Sequence, residues 1–449
     1  MSTALIVLAA GKGTRMMSDR AKVLHEVAHA PLLWHALRGG IALDPERIIV
    51  VAGHEAEAVT ASAQEYAPDA HVVIQAEQRG TAHAVVQAKD ALAGFAGDAI
   101  VLYGDTPFIG EETLERMARA RADHDVVVLG FEAGNPARYG RLVGDGDALE
   151  RIVEFKDATE AERAITLCNS GVLAADAATL MSLIDAVSDD NASGEFYLTD
   201  VVQIARSRGL SAGVVRCDEA ETMGVNSRAD LARAEAAFQT RARAQLLDDG
   251  VTLQAPDAVM LAWDTVVGRD VVIEPNVVFG PHVTVETGAV IRAFSHLEGC
   301  HVSRGAVVGP YARLRPGAEL AEDVRVGNFV EIKNAQLAEG VKVNHLSYIG
   351  DAEIGARTNV GAGTVTCNYD GVFKHRTVIG SDVFIGSDTM LVAPVTLGDG
   401  AMTGSGSTIT EDVPAGALAL ARARQVTKPG FAEKHFSMLR ARKARGGKD

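Results

Sequence analysis

VVGRDVVIEPNVVFGPHVTVETGAVIRAFSHL, residues 266–297, places an apolar side chain at every sixth position: Val267, Ile273, Phe279, Val285, Ile291 and Leu297. The register resumes one residue out of phase at Val302, Val308, Leu314, Leu320, Val326 and Ile332, and a third run holds Ile379, Ile385, Leu391, Leu397, Thr403 and Ile409. Four residues after many of these comes a second small or aliphatic position, as at Val271, Val277, Val283, Ala306, Ala312, Ala318, Val383, Thr389 and Val395. Glycine often follows the aliphatic residue directly, as at Gly268, Gly309 and Gly386. An ordinary α/β domain shows runs of unequal length. A fixed six-residue period means turns that cannot bury their own apolar residue and must stack, a parallel β-solenoid.

The repeat fails between Val360 and Val378, where GAGTVTCNYDGVFKHRT puts Gly, Asn, Asp and Lys where aliphatics belong. A loop that interrupts a solenoid usually has a function. The plain alternative is a tolerated surface insertion.

Upstream the pattern is different. SRADLARAEAAFQTRARAQLL, residues 227–247, lacks Gly and Pro and reads as one connecting helix. Before it, short β-branched runs at 4–10, 47–52, 71–76, 98–103, 125–131 and 211–217 alternate with helical patterns at 81–92, 111–121 and 177–187. That alternation implies a helix-covered α/β sheet with ligands at the carboxyl ends of its strands. VLAAGKGTRM, residues 7–16, lies at such an end. It matches neither the Walker pattern nor the dinucleotide fingerprint, offering only GxGxR. A phosphate cradle and a plain strand-to-helix turn are both open at this point.

With 449 residues the chain should form two or three domains. Its formal net charge of -16 argues against general nucleic-acid binding. The four cysteines, Cys168, Cys217, Cys300 and Cys367, are scattered without CxxC spacing, which disfavours a zinc site or disulfide framework and suits a reducing cytoplasm. The first residues do not read as a signal peptide, and no apolar run approaches the ~18 residues of a membrane span.

Ordered motifs complete the reading: LAAGKGTRM (8–16), KVLH (22–25), QAEQRGT (75–81), YGD (103–105), IVEFKDA (152–158), NSG (169–171), GVN (224–226), LRP (314–316), GNFVEIK (327–333), HLSY (345–348) and CNYD (367–370). As a set across nearly the whole chain they closely resemble the bacterial bifunctional N-acetylglucosamine-1-phosphate uridylyltransferase and glucosamine-1-phosphate acetyltransferase family. The resemblance implies a Rossmann-like nucleotidyltransferase domain (1–226), a linker helix (227–249) and a left-handed parallel β-helix acetyltransferase domain with a basic tail (250–449), assembled as a homotrimer. Departures from the family pattern are Ala21 where Pro commonly precedes the lysine, Phe155 in the VExKDA stretch, and Ser405 where a small apolar residue is common.

For uridylyl transfer the resemblance implies UTP as co-substrate and Mg2+ as cofactor. Two anions must meet, so neutralising charge matters more than a strong base. Arg15 and Lys22 fall on the family's phosphate-handling cations, and Asp105 with Asn226 on its magnesium pair. In the bland reading Asp105 caps a turn and Asn226 caps the helix that follows. Leu8, Ala9, Ala10, Gly11, Tyr103 and Gly104 fall on nucleotide contacts. Gln75, Gly80 and Thr81 fall on the uracil contacts, an amide matching the donor and acceptor of the imide edge. Gly140, Glu154 and Asn169 fall on the sugar contacts.

For acetyl transfer from acetyl-CoA the chemistry needs a neutral amine and a base. His345 matches the family's catalytic histidine, with Glu331 expected to orient it. Arg315, Lys333, Tyr348, Asn359 and Lys374 match the glucosamine-phosphate pocket. Asn368, Tyr369, Ser387, Ser405 and Arg422 match acetyl-CoA contacts. The tail cations Arg440, Arg442, Lys443 and Arg445 read equally as solubilising charge. One solenoid offers flat faces, so the acetyl pocket is expected to draw residues from more than one chain. Two other readings are an adenylyl- or guanylyltransferase whose solenoid serves only assembly, and a scaffold with dead sites. Retention of Arg15, Asp105 and His345 argues against the scaffold.

Overall fold

The first strand, β1 (Thr3–Ala9), is buried from Ala4 to Ala9. A strand apolar on both faces has to lie inside a sheet covered on both sides. Its side chains divide accordingly. Ile6 and Leu8 join one core with Val101, Val128 and Leu173, while Leu5, Val7 and Ala9 join another with Leu33, Leu102 and Leu129. The computed structural model describes residues 2–191 and 193–446; the outermost ends of the expected domains, residues 1 and 447–449, lie outside these.

After β1 come α1 (Leu32–Ile41), β2 (Arg47–Ala52), α2 (Ala56–Tyr66), β3 (His71–Ile74), α3 (Thr81–Val86), β4 (Asp98–Tyr103), α4 (Glu111–Ala120) and β5 (Val126–Glu132). Then follow β6 (Arg141–Asp145), β7 (Ala148–Val153), α5 (Glu160–Arg163), β8 (Leu167–Asp176), α6 (Ala177–Ile184), α7 (Asp200–Ser207) and β9 (Ala212–Cys217). Among the described residues the strands form one nine-stranded sheet in the order β3-β2-β1-β4-β8-β5-β9-β7-β6. β1 to β4 pair in parallel and β5 pairs in parallel with β9, whereas β8 runs antiparallel to β4 and β5. The six expected strands are present, within a residue or two at their ends. β6, β7 and β8 escaped the periodicity because β6 and β7 are short, partly exposed and broken by charged residues, and β8 is interrupted by Asn169-Ser170-Gly171, where its register against β5 shifts.

The connecting helix is α8 (Arg228–Asp248). Ser227 caps it, accepting from Asp230 N at 3.2 Å, while Asp230 returns an acceptor to Asn226 N at 3.1 Å. The chain divides into two compact units, one reaching Ala244 and including Leu261–Trp263, the other comprising Gln245–Met260 and everything from Asp264 onward. Most of α8 therefore packs within the first unit. Leu231, Ala234 and Phe238 lie against Val27, Leu32, Phe108 and Trp263, and Gln239 exchanges hydrogen bonds with Leu261 at 2.7 and 2.9 Å.

The second unit is a left-handed parallel β-helix built on the hexapeptide period. Val266 pairs with Thr284, Val272 with Val290 and Val278 with His296, an offset of 18 residues, or three hexapeptides per coil. The phase slip seen in the sequence is a coil of 17, as where Val290 pairs with Val307. Every sixth-position residue from Ile273 to Ile332 and from Ile379 to Ile409 is at most 3% exposed; Val267, in the first coil, is half-buried. The coil corners take left-handed backbone, filled by Gly288, Gly305 and Gly340 or by Asn276, Asp323 and Asp382. Those residue types tolerate positive φ. One corner is different. Phe294, Tyr311, Phe329 and Leu346 hold it at φ 59°, 56°, 56° and 52°, with successive rings stacked 4.9 and 5.3 Å apart. The repeat-breaking loop lengthens one coil, so that Ala352 pairs with Thr377 across 25 residues. A final helix, α9 (Phe431–Ala444), carries the basic tail and is exposed throughout.

Candidate active sites

In the first unit the opening loop leaves β1 at the edge of β4. Leu8 lies opposite Tyr103, and Gly104 N donates to Leu8 O at 3.0 Å, which sets residues 8–10 beside Tyr103-Gly104-Asp105. Gly13 turns the loop at φ 59°, and a Cβ there would lie 2.6 Å from Lys22 Cβ. The turn thus sets Lys22 against the loop. The Lys22 ammonium pairs with Asp105 Oδ2 and donates to Asn226 Oδ1 at 3.0 Å, with Lys22 and Asp105 both largely buried. Two oxygen donors therefore converge on one cation. Asn226 does not cap α8; Ser227 does, leaving the Asn226 amide for Lys22. Arg15 stands exposed on the loop. Among the described residues no cluster of three or more His, Cys, Asp or Glu could hold a metal. The convergent pair nonetheless fits Mg2+, which needs only one or two protein oxygens when phosphates and water complete its shell.

Gln75, after β3, is 3% exposed. Its Nε2 donates to Gly80 O at 3.3 Å and meets His83 Nδ1 at 3.0 Å, which leaves Oε1 as the open acceptor. His83 went unremarked in the sequence; its only signal is its place two residues after Thr81. Thr81 Oγ1 accepts from Leu198 N at 2.9 Å, tying this turn to the chain before α7. At the other end of the sheet a Cβ on Gly140 would sit 3.5 Å from Glu154 Oε1 and 3.6 Å from Asn169 Cβ, so the three expected sugar contacts meet. Burial pushes the Glu154 carboxyl upward, and Asp200 and Asp157 push the same way, against a hydrogen bond from Thr199 at 3.2 Å. Burial likewise raises the Tyr103 phenol, with Asp105 adding to it.

In the second unit the expected residues fall on two faces of the coil. His345 ends a strand paired with the one that carries Asn328, and its Nδ1 meets Asn328 Oδ1 at 2.8 Å. The amide oxygen can only accept, so in this contact Nδ1–H is the donor and Nε2 is left for another partner. Within the chain Glu331 pairs with Arg315 at 2.8 Å rather than with this imidazole, on the neighbouring face, because Arg313–Leu314 and Glu331–Ile332 stack in register there. Below His345, backbone hydrogen bonds run from Gly363 N to His345 O, from Asp388 N to Ala362 O and from Gly406 N to Ser387 O. His345, Ala362, Ser387 and Ser405 thus occupy one file down successive coils, spaced by about 4.8 Å each. A Cβ on Gly406 would reach Arg422 Cδ at 3.9 Å, which extends the file to Arg422. Ala362 had gone unnoticed because the repeat breaks around it. Asn359, on the His345 face, pairs with Lys342 and Phe384.

On the neighbouring face Arg315, Lys333 and Gly350 follow one another down successive coils, with Tyr348 in register with Glu331. Lys333 Nζ lies 3.6 Å from Asp351. The loop is held by Asp370, which accepts from Val372 N and Phe373 N at 2.8 and 2.7 Å and pairs with His375 at 2.7 Å. The His375 bond, then those backbone donors, pull its carboxyl down to about 2. Tyr369 and Lys374 bridge across the loop, and Asn368 at its root is 8% exposed.

The first unit matches the family model of the MobA-like NTP transferase domain over residues 5–170. The second matches that of the bacterial transferase hexapeptide (six repeats) over 264–299 and 376–411. A protein of Ruegeria pomeroyi named bifunctional protein GlmU is 70% identical over 444 residues, 99% of each chain. Namesakes from Ruegeria sp. (strain TM1040) and Jannaschia sp. (strain CCS1) are 68% and 65% identical, each over 99% of this chain and over 99% and 98% of their own. A solved UDP-glucose pyrophosphorylase covers 54% of this chain at 15% identity and a TM-score of 0.44, too slight a likeness to argue from. Two domain types in this order, at such identity from end to end, place the chain in the GlmU family of bifunctional proteins.

Proposed function

We propose how this bifunctional uridylyltransferase and glucosamine-1-phosphate N-acetyltransferase divides its work. The sheet unit transfers uridylyl from UTP to N-acetylglucosamine 1-phosphate and releases pyrophosphate; the solenoid unit acetylates glucosamine 1-phosphate with acetyl-CoA beforehand. The product is UDP-N-acetylglucosamine. The observation that carries the first assignment is the convergence of Asp105 and Asn226 on the Lys22 ammonium. Asp105 and Asn226 would hold Mg2+, which when bound supplies charge neutralisation for the triphosphate. Lys22 and Arg15 neutralise the phosphates as the sugar-phosphate oxygen attacks. Gln75 Oε1 accepts the imide N–H of uracil, and Gly140, Glu154 and Asn169 seat the acetylated sugar.

In the solenoid His345 Nε2 takes the proton from the amine as its nitrogen bonds to the thioester carbon. The sulfur leaves as CoA thiolate. Arg315, Lys333 and Lys374 neutralise the sugar phosphate, with Tyr348 and Asn359 to its hydroxyls. Asn368 and Tyr369 lie at the amine and thioester, and the file through Ser387 and Ser405 to Arg422 receives the CoA arm. Because these groups occupy two faces of one coil, the pocket closes only where coils of neighbouring chains meet, in a homotrimer. Unpaired thiols and these substrates suit a reducing cytoplasm.

The test is a pair of single substitutions read by two uncoupled assays. His345→Ala should abolish acetyl transfer and spare uridylyl transfer; Asp105→Ala should do the converse. Loss of both reactions from either substitution would refute two independent sites. Running the second assay over four nucleoside triphosphates excludes an adenylyl- or guanylyltransferase if only UTP yields pyrophosphate.

A further inference from the structure

Asp351 belongs to none of the residues assigned above, yet they surround it. It is 8% exposed and sits at a coil corner at φ 51°, directly after Gly350. One carboxylate oxygen accepts from Asn334 Nδ2 at 2.6 Å; the other accepts from Asn368 Nδ2 and lies 3.6 Å from Lys333 Nζ. Burial alone would raise its carboxyl, but the Asn334 and Asn368 bonds and the charges of Lys333 and Lys374 outweigh it and hold the group below its ordinary range. A Cβ on Gly350 would run into Tyr348 Oη and Asn368 Nδ2, so the phenol lies over this residue against the same amide. A sugar-phosphate cation, the phenol and the loop-root amide thus meet at one carboxylate.

We infer that Asp351 is a positioning residue for acetyl transfer: it fixes the Asn368 amide with its carbonyl oxygen free to accept an N–H of the sugar amine. An ionised carboxylate can only accept, so Asn368 has to turn its NH2 inward. The Asn368 backbone is committed as well, its N–H to Thr366 O at 2.9 Å and its C=O to His375 N at 2.8 Å, so the side chain cannot drift with the loop. With Oδ1 holding one N–H, the nitrogen lone pair is aimed at the thioester while His345 removes a proton. This rests on the reading of Asn368 as the group beside the amine.

Asp351→Asn separates positioning from a merely structural role. Asparagine tolerates left-handed backbone as well as aspartate does, so the corner is kept. The new amide, however, presents a donor that competes with the Asn368 NH2 and lets that amide turn over. For full-length protein we expect kcat of acetyl transfer to fall about tenfold or more while KM for glucosamine 1-phosphate changes less than about threefold. Melting temperature and uridylyl transfer should stay at wild-type values. In an Asn368→Ala background the same substitution should cost little more, since the two act as one unit. A kcat within about twofold of wild type, or losses that simply multiply, would overturn the inference alone. Full acetyl transfer by Asn368→Ala would overturn the reading of the site and the inference together. If Asp351→Asn does not fold, Asn334→Ala frees the carboxylate from its other side. It should lower kcat severalfold in the wild-type background and not in Asn368→Ala; no loss in either refutes the proposal.

Discussion

At the scale of single residues, Lys22 stands where Asp105 and Asn226 converge, and its neighbours explain why. Gly13 leaves it room, and Ala21 just before it adopts φ -52° and ψ 137°, a conformation that also fits proline. Ala21 N–H nevertheless donates to Glu55 Oε2. Proline would stiffen the turn and lose that charge-assisted bond, so Ala21→Pro should lower stability by about 1 kcal/mol net, read as a drop in melting temperature. Lys22→Met should cut uridylyl transfer about 100-fold or more and leave acetyl transfer intact, measured by pyrophosphate and thiol release. Much of this site was legible because Lys22, Asp105 and Asn226 each sit in a short motif. Asn328, Asn334 and Asp351 were not. Asn334 and Asp351 at coil corners read as turn formers and Asn328 as a strand end, and their partners lie one coil, 17 residues, away. For the same reason the sequence did not show that, within one chain, a corner separates Glu331 from His345 and leaves it paired with Arg315.

At the scale of elements, the interrupting loop is ordered chiefly by Asp370. Its carboxyl titrates near 2 in the folded chain against an ordinary 3.8, so what it contributes is complete above the ordinary value and vanishes as pH falls through about 2. Asp370→Asn should release the loop at neutral pH, seen as faster amide exchange at Val372 and Phe373 and weaker acetyl transfer. Helix α8 is fixed at its start by Ser227 and Asp230, the same turn that presents Asn226. Ser227→Ala should therefore cost about 1 kcal/mol and also weaken uridylyl transfer by misplacing the Asn226 amide. The six apolar runs were read to within two residues as strands, whereas the helix expected over 81–92 ends at Val86 and continues as turns. β8 was lost because its Asn169-Ser170-Gly171 break replaces the apolar pattern, and the β6–β7 hairpin because half of it faces solvent.

At the scale of the whole molecule, the six-residue period sufficed to read the coil. What it could not supply was the sorting of site residues onto two faces, since faces depend on where coils of 17 replace coils of 18. Association should therefore be inseparable from acetyl transfer. Phe329→Glu, on the corner flanking His345, should shift the sedimenting species toward monomer and reduce acetyl transfer in step, while uridylyl transfer persists. That corner has a cost as well. Phe294, Tyr311, Phe329 and Leu346 hold a backbone shape that other corners mostly give to glycine, asparagine or aspartate, at roughly 1 kcal/mol apiece. Swapping them for asparagine should make the lone polypeptide more heat-resistant and weaken the proposed association, so a screen for thermotolerance alone would select against the assembly proposed to close the acetyl site.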